Sequence, residues 1–475
     1  MPKRLPILQP GGSTTDEPIM TSANAGKRVH MVSLGCPKNR VDTDIMLGRM
    51  LNAGYEIMDE AEQADVLMVN TCSFIHDATQ ESIDTILELA EIKAKRPDVR
   101  LVVAGCLAQR HPEELRADLP EVDVFVGTGS VQRVVEAVDR AFEGPVHDPH
   151  AFVGTPEWTH GDSEARVNSL MPHVAYLKIL EGCPQACSFC IIPTLRGGLR
   201  SRPIDALVAE AQALVERGVT EMILVGQDCS SYGYDLGANV RLTNLLERLN
   251  EIDGLVWIRV MYLYPARVRT KLLETMAQLS KVVPYVDMPL QHASTSVLKA
   301  MNRATTLEKQ RDLLNQMRTT IPDLAIRSGF IVGFPGETES DFQQLLEFVE
   351  EQQFAHLGVF TFSGEAGTPA ATFGQAVSAT LASQRRDALM GLQQEISRAR
   401  NELMIGREVK IVVDGVHPET DLITIGRMAT QAPEIDGFVM LNDFEVHEPV
   451  RGTYRRAVIT AAHDYDLEAT VLDDV

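Results

Sequence analysis

No stretch of this chain stays apolar long enough to cross a bilayer, and its opening segment, Met1-Pro2-Lys3-Arg4-Leu5-Pro6, has basic residues with no apolar run behind them. The reading is a soluble, cytoplasmic chain without a membrane partner. Positive charge is also short: 44 Lys and Arg stand against 66 Asp and Glu, a net charge of −22. Such an excess disfavours broad adhesion to nucleic acid or anionic lipid, so stable nucleic-acid binding is not expected. Cysteine is sparse at seven residues, and in a reducing compartment grouped thiols serve as metal ligands or catalytic groups rather than disulfides. What the chain has in plenty is core-forming material. An apolar content of 44% and a charged content of 23% over 475 residues predict two or three folded domains.

Residues 1–26 are rich in Pro, Gly, Ser and Thr without a hydrophobic period, which predicts a disordered leader. Residues 27–143 then alternate short apolar runs with helical stretches. The runs are Arg28 to Gly35, Val66 to Val69, Val99 to Ala104 and Val122 to Val126; the helices lie at Lys38 to Asn52, Asp77 to Lys95 and near Glu113. This is the pattern of a parallel sheet covered on both faces. A Pro-, Gly- and His-bearing linker is expected over 144–168. Within 169–404 six further runs, beginning at Ala175, Met222, Val256, Tyr285, Ile326 and His356, alternate with helices and predict a partial (β/α)6 barrel. Short alternating runs in 405–475 predict a small antiparallel β-barrel. The fold class is therefore α/β with three parts. The last of them carries six basic against 14 acidic residues over 406–475, the wrong balance for gripping nucleic acid.

Six of the cysteines form two triads. Cys183, Cys187 and Cys190 share one loop after the first barrel strand, so three thiolates can close on one body without long-range folding. Three thiolates hold three irons of a cubane and leave the fourth free for a small molecule. The competing reading is zinc, which in structural sites wants four ligands; no fourth Cys or His lies close by, His173 being the nearest. Cys36, Cys72 and Cys106 each end an apolar run, roughly 35 residues apart, and ligands of open α/β sheets gather beyond the carboxyl ends of strands. A lone cysteine at a strand end is usually a small hydrophobe; three at equivalent positions predict a second cluster. Cys229 is read as structural, and His76, His111 and His292 as packing residues. Arg196, Arg200 and Arg202 are read either as an anion grip or as a solvated loop.

The Cys-x3-Cys-x2-Cys spacing, with Phe189 before the last cysteine, resembles the radical S-adenosylmethionine superfamily. The resemblance implies that a 4Fe-4S cluster on that loop binds S-adenosylmethionine and cleaves it to a hydrogen-abstracting radical. It also implies cofactor contacts at Phe189, at Gly226 and Gln227 after the second barrel strand, and at Gly333 in Gly329-Phe330-Ile331-Val332-Gly333-Phe334-Pro335-Gly336-Glu337. No catalytic residue beyond the cluster ligands is identified. Taken together, the three parts resemble the methylthiotransferases, with a second 4Fe-4S cluster on the N-terminal triad and a TRAM-like final barrel. Ser33-Leu34-Gly35-Cys36-Pro37-Lys38-Asn39 resembles the branch that modifies a ribosomal protein, where the tRNA branch usually has Cys-Gln-x-Asn; Asn70-Thr71-Cys72-Ser73 and Asp287-Met288-Pro289-Leu290-Gln291-His292 agree with it. That resemblance implies β-methylthiolation of an aspartate in ribosomal small-subunit protein S twelve, with a sulfur donor and a flavodoxin-like or ferredoxin-like electron donor as partners. The alternatives are a tRNA adenosine methylthiotransferase, or an iron-sulfur scaffold or electron carrier.

Overall fold

In the computed structural model, residues 26–144, 146–161, 165–444 and 450–474 are described. The expected leader, residue 26 apart, lies outside the described residues. The N-terminal domain comprises β1 (Arg28–Ser33), α1 (Pro37–Asn52), β2 (Glu56–Ile57), β3 (Val66–Thr71), α2 (His76–Lys95), β4 (Arg100–Gly105), α3 (Cys106–Arg110), α4 (Pro112–Asp118), β5 (Val124–Val126) and α5 (Val134–Glu143). Its five strands are parallel in the order β2-β1-β3-β4-β5. Both faces are covered, so β3 is buried at all six positions, as its unbroken apolar texture requires. In this strand order the topological switch falls between β1 and β3, which is where such sheets open a crevice for ligands. Cys36 follows β1 and Cys72 follows β3. The expected first domain thus has its cysteines at the one edge of the sheet suited to binding.

The central domain runs through β6 (Val174–Lys178), β7 (Leu180–Glu181), α6 (Ile192–Arg196), β8 (Arg200–Ser201), α7 (Ile204–Glu216), β9 (Glu221–Val225), α8 (Leu242–Asn250), β10 (Trp257–Val260), α9 (Thr270–Gln278), β11 (Val282–Asp287), α10 (Thr295–Ala300), α11 (Leu307–Thr320), β12 (Ala325–Val332), α12 (Glu339–Gln352), β13 (His356–Thr361) and α13 (Ala379–Glu402). Six strands lie in the order β13-β12-β11-β10-β9-β6, all parallel, and the sheet stays open between β13 and β6. The expected partial barrel of six strands is what forms. Ala175 and Leu177 of β6 face the helices, while Val174 and Tyr176 face the other way and share a core with Val41, Ile45 and Met46 of α1. Period-two alternation in β6 therefore joins the two domains along one seam.

The chain between them is no loose tether. Phe152 and Val153 are buried, Gly127 N–H donates to Phe152 O, and Val167 N–H donates to Asp44 O of α1. The C-terminal part has β14 (Glu408–His417), β15 (Thr420–Met428), β16 (Val439–Phe444), β17 (Tyr454–Ala462) and β18 (Leu467–Asp474) closed into a barrel in the order β14-β15-β16-β18-β17. The sequence predicts antiparallel strands throughout, but β16 and β18 pair in parallel. An odd ring cannot alternate direction at every step, so closure by five strands forces one parallel pair. This barrel docks on the amino ends of the central strands, where Trp257, Val283, Tyr285 and Ala325 share a core with Val412 and Ala432.

Candidate metal centres

Three of the six triad cysteines follow a glycine in the left-handed region: Gly35 (φ 85°), Gly105 (φ 98°) and Gly182 (φ 72°). Each glycine also sits where no side chain fits. A Cβ on Gly35 would meet Cys72 Cβ at 2.8 Å, one on Gly105 would meet Asn70 Oδ1 at 2.3 Å, and one on Gly182 would meet Gly198 O at 1.9 Å. The chain thus turns sharply at each strand end, and at Gly35 the turn lets the first loop close over Cys72. The signal is present in the sequence as a Gly-Cys pair at all three places.

Cys36, Cys72 and Cys106, distant in sequence, come together at the carboxyl ends of β1, β3 and β4. Burial pushes the Cys72 thiol up to about 12, with Cys106 and Cys36 raising it further. Burial raises Cys106 as well, Arg196 opposing and Cys36 adding. Asn39 ties the site together: its Nδ2 donates to Leu34 O (3.2 Å) and Thr71 O (2.9 Å), its Oδ1 accepts from Arg196, and Cys106 Sγ lies 3.7 Å from that oxygen. Arg196 Nη2 also donates to Cys106 Sγ at 3.5 Å. Neither Asn39 nor Arg196 was singled out as a cysteine partner from the sequence.

The second triad lies in the loop after β7. Burial pushes Cys183 up to about 11 and Cys190 up to about 12, with Cys187 raising both. Arg303 Nη1 donates to Cys187 Sγ at 3.6 Å while Nη2 holds Pro289 O at 2.7 Å. Raised thiols keep their protons in metal-free protein, so metal ligation at either triad must release them. Among the described residues no three His, Cys, Asp or Glu groups stand close enough to hold a single metal ion. A cubane is a wider body, held at its corners by thiolates that need not touch one another, and two sulfur triads with cationic donors aimed at the sulfur fit it. The zinc reading also loses its fourth ligand: His173 is buried under the C-terminal barrel, its Nε2 2.9 Å from Asp414 Oδ1.

The segments that carry the two triads touch across the seam. Cys106 packs against Ile191, the residue after Cys190, and against Leu195. Beneath them runs a buried ionic lattice. Lys178 holds Asp42 and Glu181 (2.5 Å), and Arg196 holds the same two carboxylates at 2.6 and 3.3 Å. Burial alone would raise the Glu181 carboxyl, but Lys178 and Arg196 outweigh it and hold it well below the usual range. Arg196 is therefore neither solvated nor free for an anion. Arg202 is likewise committed, to Glu210 at 2.6 Å, and Arg200 is turned onto the carbonyls of Gly198 and Arg196.

The expected S-adenosylmethionine contacts are spread more widely. Phe189 packs against a cluster of Val297, Met301, Phe334 and Ala370. Gln227 Nε2 donates to Glu181 Oε2 at 3.2 Å while its buried Oε1 has no partner among the described residues. The small size of Gly226 is used by Leu180, whose Cγ would meet a Cβ there at 2.8 Å, and that of Gly333 by Ala382 of α13, at 2.5 Å. Open room appears instead at Gly329 and Gly358, paired across β12 and β13, where a Cβ would meet nothing closer than 3.9 and 3.6 Å. Cys229 is fully buried in the core behind β9, and His292 is buried with its Nδ1 accepting from Ser294 N–H at 3.0 Å.

Family models match in chain order: Uncharacterized protein family UPF0004 over residues 28–127, the Radical SAM superfamily over 177–349 and the TRAM domain over 405–472. The chain is 49% identical over 445 residues to the ribosomal protein uS12 methylthiotransferase RimO of Anaeromyxobacter sp. (strain K), covering 94% of this chain and 93% of that one. It is 46% identical to the RimO of Geobacter sulfurreducens, covering 95% and 100%. Among solved structures it is similar in fold to the radical S-adenosylmethionine methyltransferase TsrM from Kitasatospora setae, with a TM-score of 0.52 at 13% identity over 73% of this chain and 77% of that one.

Proposed function

The chain belongs to the ribosomal protein uS12 methylthiotransferase family, and we propose that it places a methylthio group on the β-carbon of an aspartate in small-subunit ribosomal protein uS12. The observation that carries the reading is the contact of the two triad-bearing segments across one buried seam, Cys106 against Ile191, the residue after Cys190. Two sites that must act on one carbon have to face each other, and a lone electron carrier has no need of this. In this reading Cys183, Cys187 and Cys190 hold one 4Fe-4S cluster and Cys36, Cys72 and Cys106 the other. When bound, the clusters and S-adenosylmethionine supply the one-electron reduction, hydrogen abstraction, sulfur and methyl group. The chain's own residues do the rest. Arg303 and Arg196 aim guanidinium donors at the sulfurs of Cys187 and Cys106, and at Cys106 the Arg196 charge opposes the rise that burial causes. Glu181, pinned by Lys178, Arg196 and Gln227, fixes the root of the second loop. Phe189 and Gln227 line the S-adenosylmethionine side, and the closely packed seam excludes water. A sulfur donor and a flavodoxin-like or ferredoxin-like reductant complete the cycle in the cytoplasm. An acidic final barrel suits a basic protein target rather than tRNA.

The division of labour is tested by two variants assayed anaerobically with S-adenosylmethionine, reductant and uS12. Cys187→Ala is expected to abolish S-adenosylmethionine cleavage. Cys72→Ala is expected to retain cleavage, read as deoxyadenosine, and to lose the mass gain on uS12. Equal loss of both signals in two folded variants would refute the assignment.

A further inference from the structure

Lys38 is buried, 8% exposed, at the second position of α1 and two residues beyond Cys36. Its Nζ stands 3.4 Å from the centroid of the Tyr262 ring, which reaches it from the far side of the seam, beyond the carboxyl end of β10. Tyr262 is held for this purpose in the left-handed region (φ 59°), its N–H donating to Asp287 Oδ2 at 3.1 Å and its carbonyl accepting from Cys229 N–H at 2.9 Å. Among the described residues no carboxylate pairs with Lys38. That is exceptional here. Every other buried lysine or arginine described holds a carboxylate, as Lys178 holds Asp42 and Arg427 holds Asp414, except Arg303. Arg303 is already taken by Cys187 Sγ, Pro289 O and the Tyr264 ring.

A buried ammonium without a carboxylate partner is costly, and the Tyr262 side chain, which offers it both ring and hydroxyl, together with the neighbouring Cys36 sulfur offsets only part of that cost. An ammonium has three N–H donors, more than one tyrosine can satisfy. The reaction proposed above brings a complementary group to this place. The carbon that receives sulfur is bonded directly to the carboxyl carbon of the aspartate, so the carboxylate must enter the same buried space, and a buried carboxylate needs a cation. We propose that Lys38 Nζ binds the side-chain carboxylate of the target aspartate and so selects aspartate at that position. The assignment rests on the family reading and adds a substrate-binding residue to it.

The test measures equilibrium binding of uS12, with its target aspartate intact or replaced by asparagine, to cluster-loaded enzyme without reductant. Wild type is expected to prefer the aspartate form by about tenfold or more, the scale of one charge-assisted hydrogen bond. Lys38→Gln is expected to bring the ratio to about one, and Lys38→Arg to keep part of it. If Lys38→Gln alters iron content or the cluster spectrum while the ratio persists, Lys38 only balances cysteine charge and the assignment falls. A wild-type ratio near one overturns it whether or not the variants fold. If wild-type enzyme binds neither form and leaves uS12 without mass gain under turnover, the premise fails, and the assignment with it.

Discussion

A single missing carbon decides the first triad. Gly35 has a positive φ and no room for a Cβ, because Cys72 Cβ would stand 2.8 Å away and Cys72 Sγ 3.0 Å. Gly35→Ala must therefore strain the backbone and push Cys72 out of place at once. The expected result is a folded enzyme that retains about half of its iron, with the second triad still loaded. Iron and sulfide analysis checks this, and full retention of iron would contradict it. At this scale the cysteines were legible because spacing is a one-dimensional property. The partners were not: Asn39 and Arg196 are 157 residues apart in the chain, and only the folded seam puts Arg196 on both Asn39 and Cys106. For the same reason Arg196 and Arg202 looked like a surface loop. Their carboxylates, Asp42 and Glu210, gave no local sign of where they would be.

At the scale of elements, α1 shows what periodicity can and cannot tell. The helix was expected from Lys38 to Asn52 and runs Pro37–Asn52, yet Lys38, Asn39, Asp42, Thr43 and Asp44 are buried where an isolated amphipathic helix would be wet. Asn39, Asp42 and Asp44 are buried because the barrel side of the seam supplies Lys178, Arg196, Arg166 and Ser169, and Lys38 meets Tyr262 there, whereas Thr43 pairs with Ser33 and Asn70 of its own domain. The elements missed are those with little apolar signal of their own. β2 is two residues long, α3 begins on Cys106 itself, and the charged β18 shows no apolar run. The long buried strands of the two parallel sheets, which carry their own signal, were all found. Asp42→Asn tests the seam. It removes one of two carboxylates shared by Lys178 and Arg196, leaving two buried cations on Glu181 alone, and is expected to cost about 3 kcal/mol. Urea unfolding measures this, and a loss below about 0.5 kcal/mol would show the lattice to be dispensable.

The whole molecule has its chemistry at one end and a seal at the other. Both triads lie beyond the carboxyl ends of strands, whereas the C-terminal barrel meets the amino ends, where Glu221 opens β9, Trp257 opens β10 and His356 opens β13. Trp257 stacks edge-on against Tyr454 at 4.9 Å, His356 Nε2 is 2.9 Å from Thr430 O, and Tyr285 OH donates to Asp436 at 2.8 Å. At the centre Glu221 is shared by Arg259 of the central barrel and Arg427 of the final one, both at 2.9 Å, and Arg427 also holds Asp414 at 2.5 Å. Composition read the final barrel only as an acidic surface for a basic target. The contacts make it a plug for the open barrel as well, so deleting residues 406–475 must affect stability and target capture together. Arg427→Met separates them. It leaves Glu221 and Asp414 short of a buried cation, for an expected cost of about 3–5 kcal/mol, without altering the acidic outer surface or either triad. Thermal unfolding should fall by several degrees while uS12 affinity and iron content stay at the wild-type level. If affinity fell and the melting temperature did not, the interface would be serving capture rather than closure, and the seal would have to be abandoned.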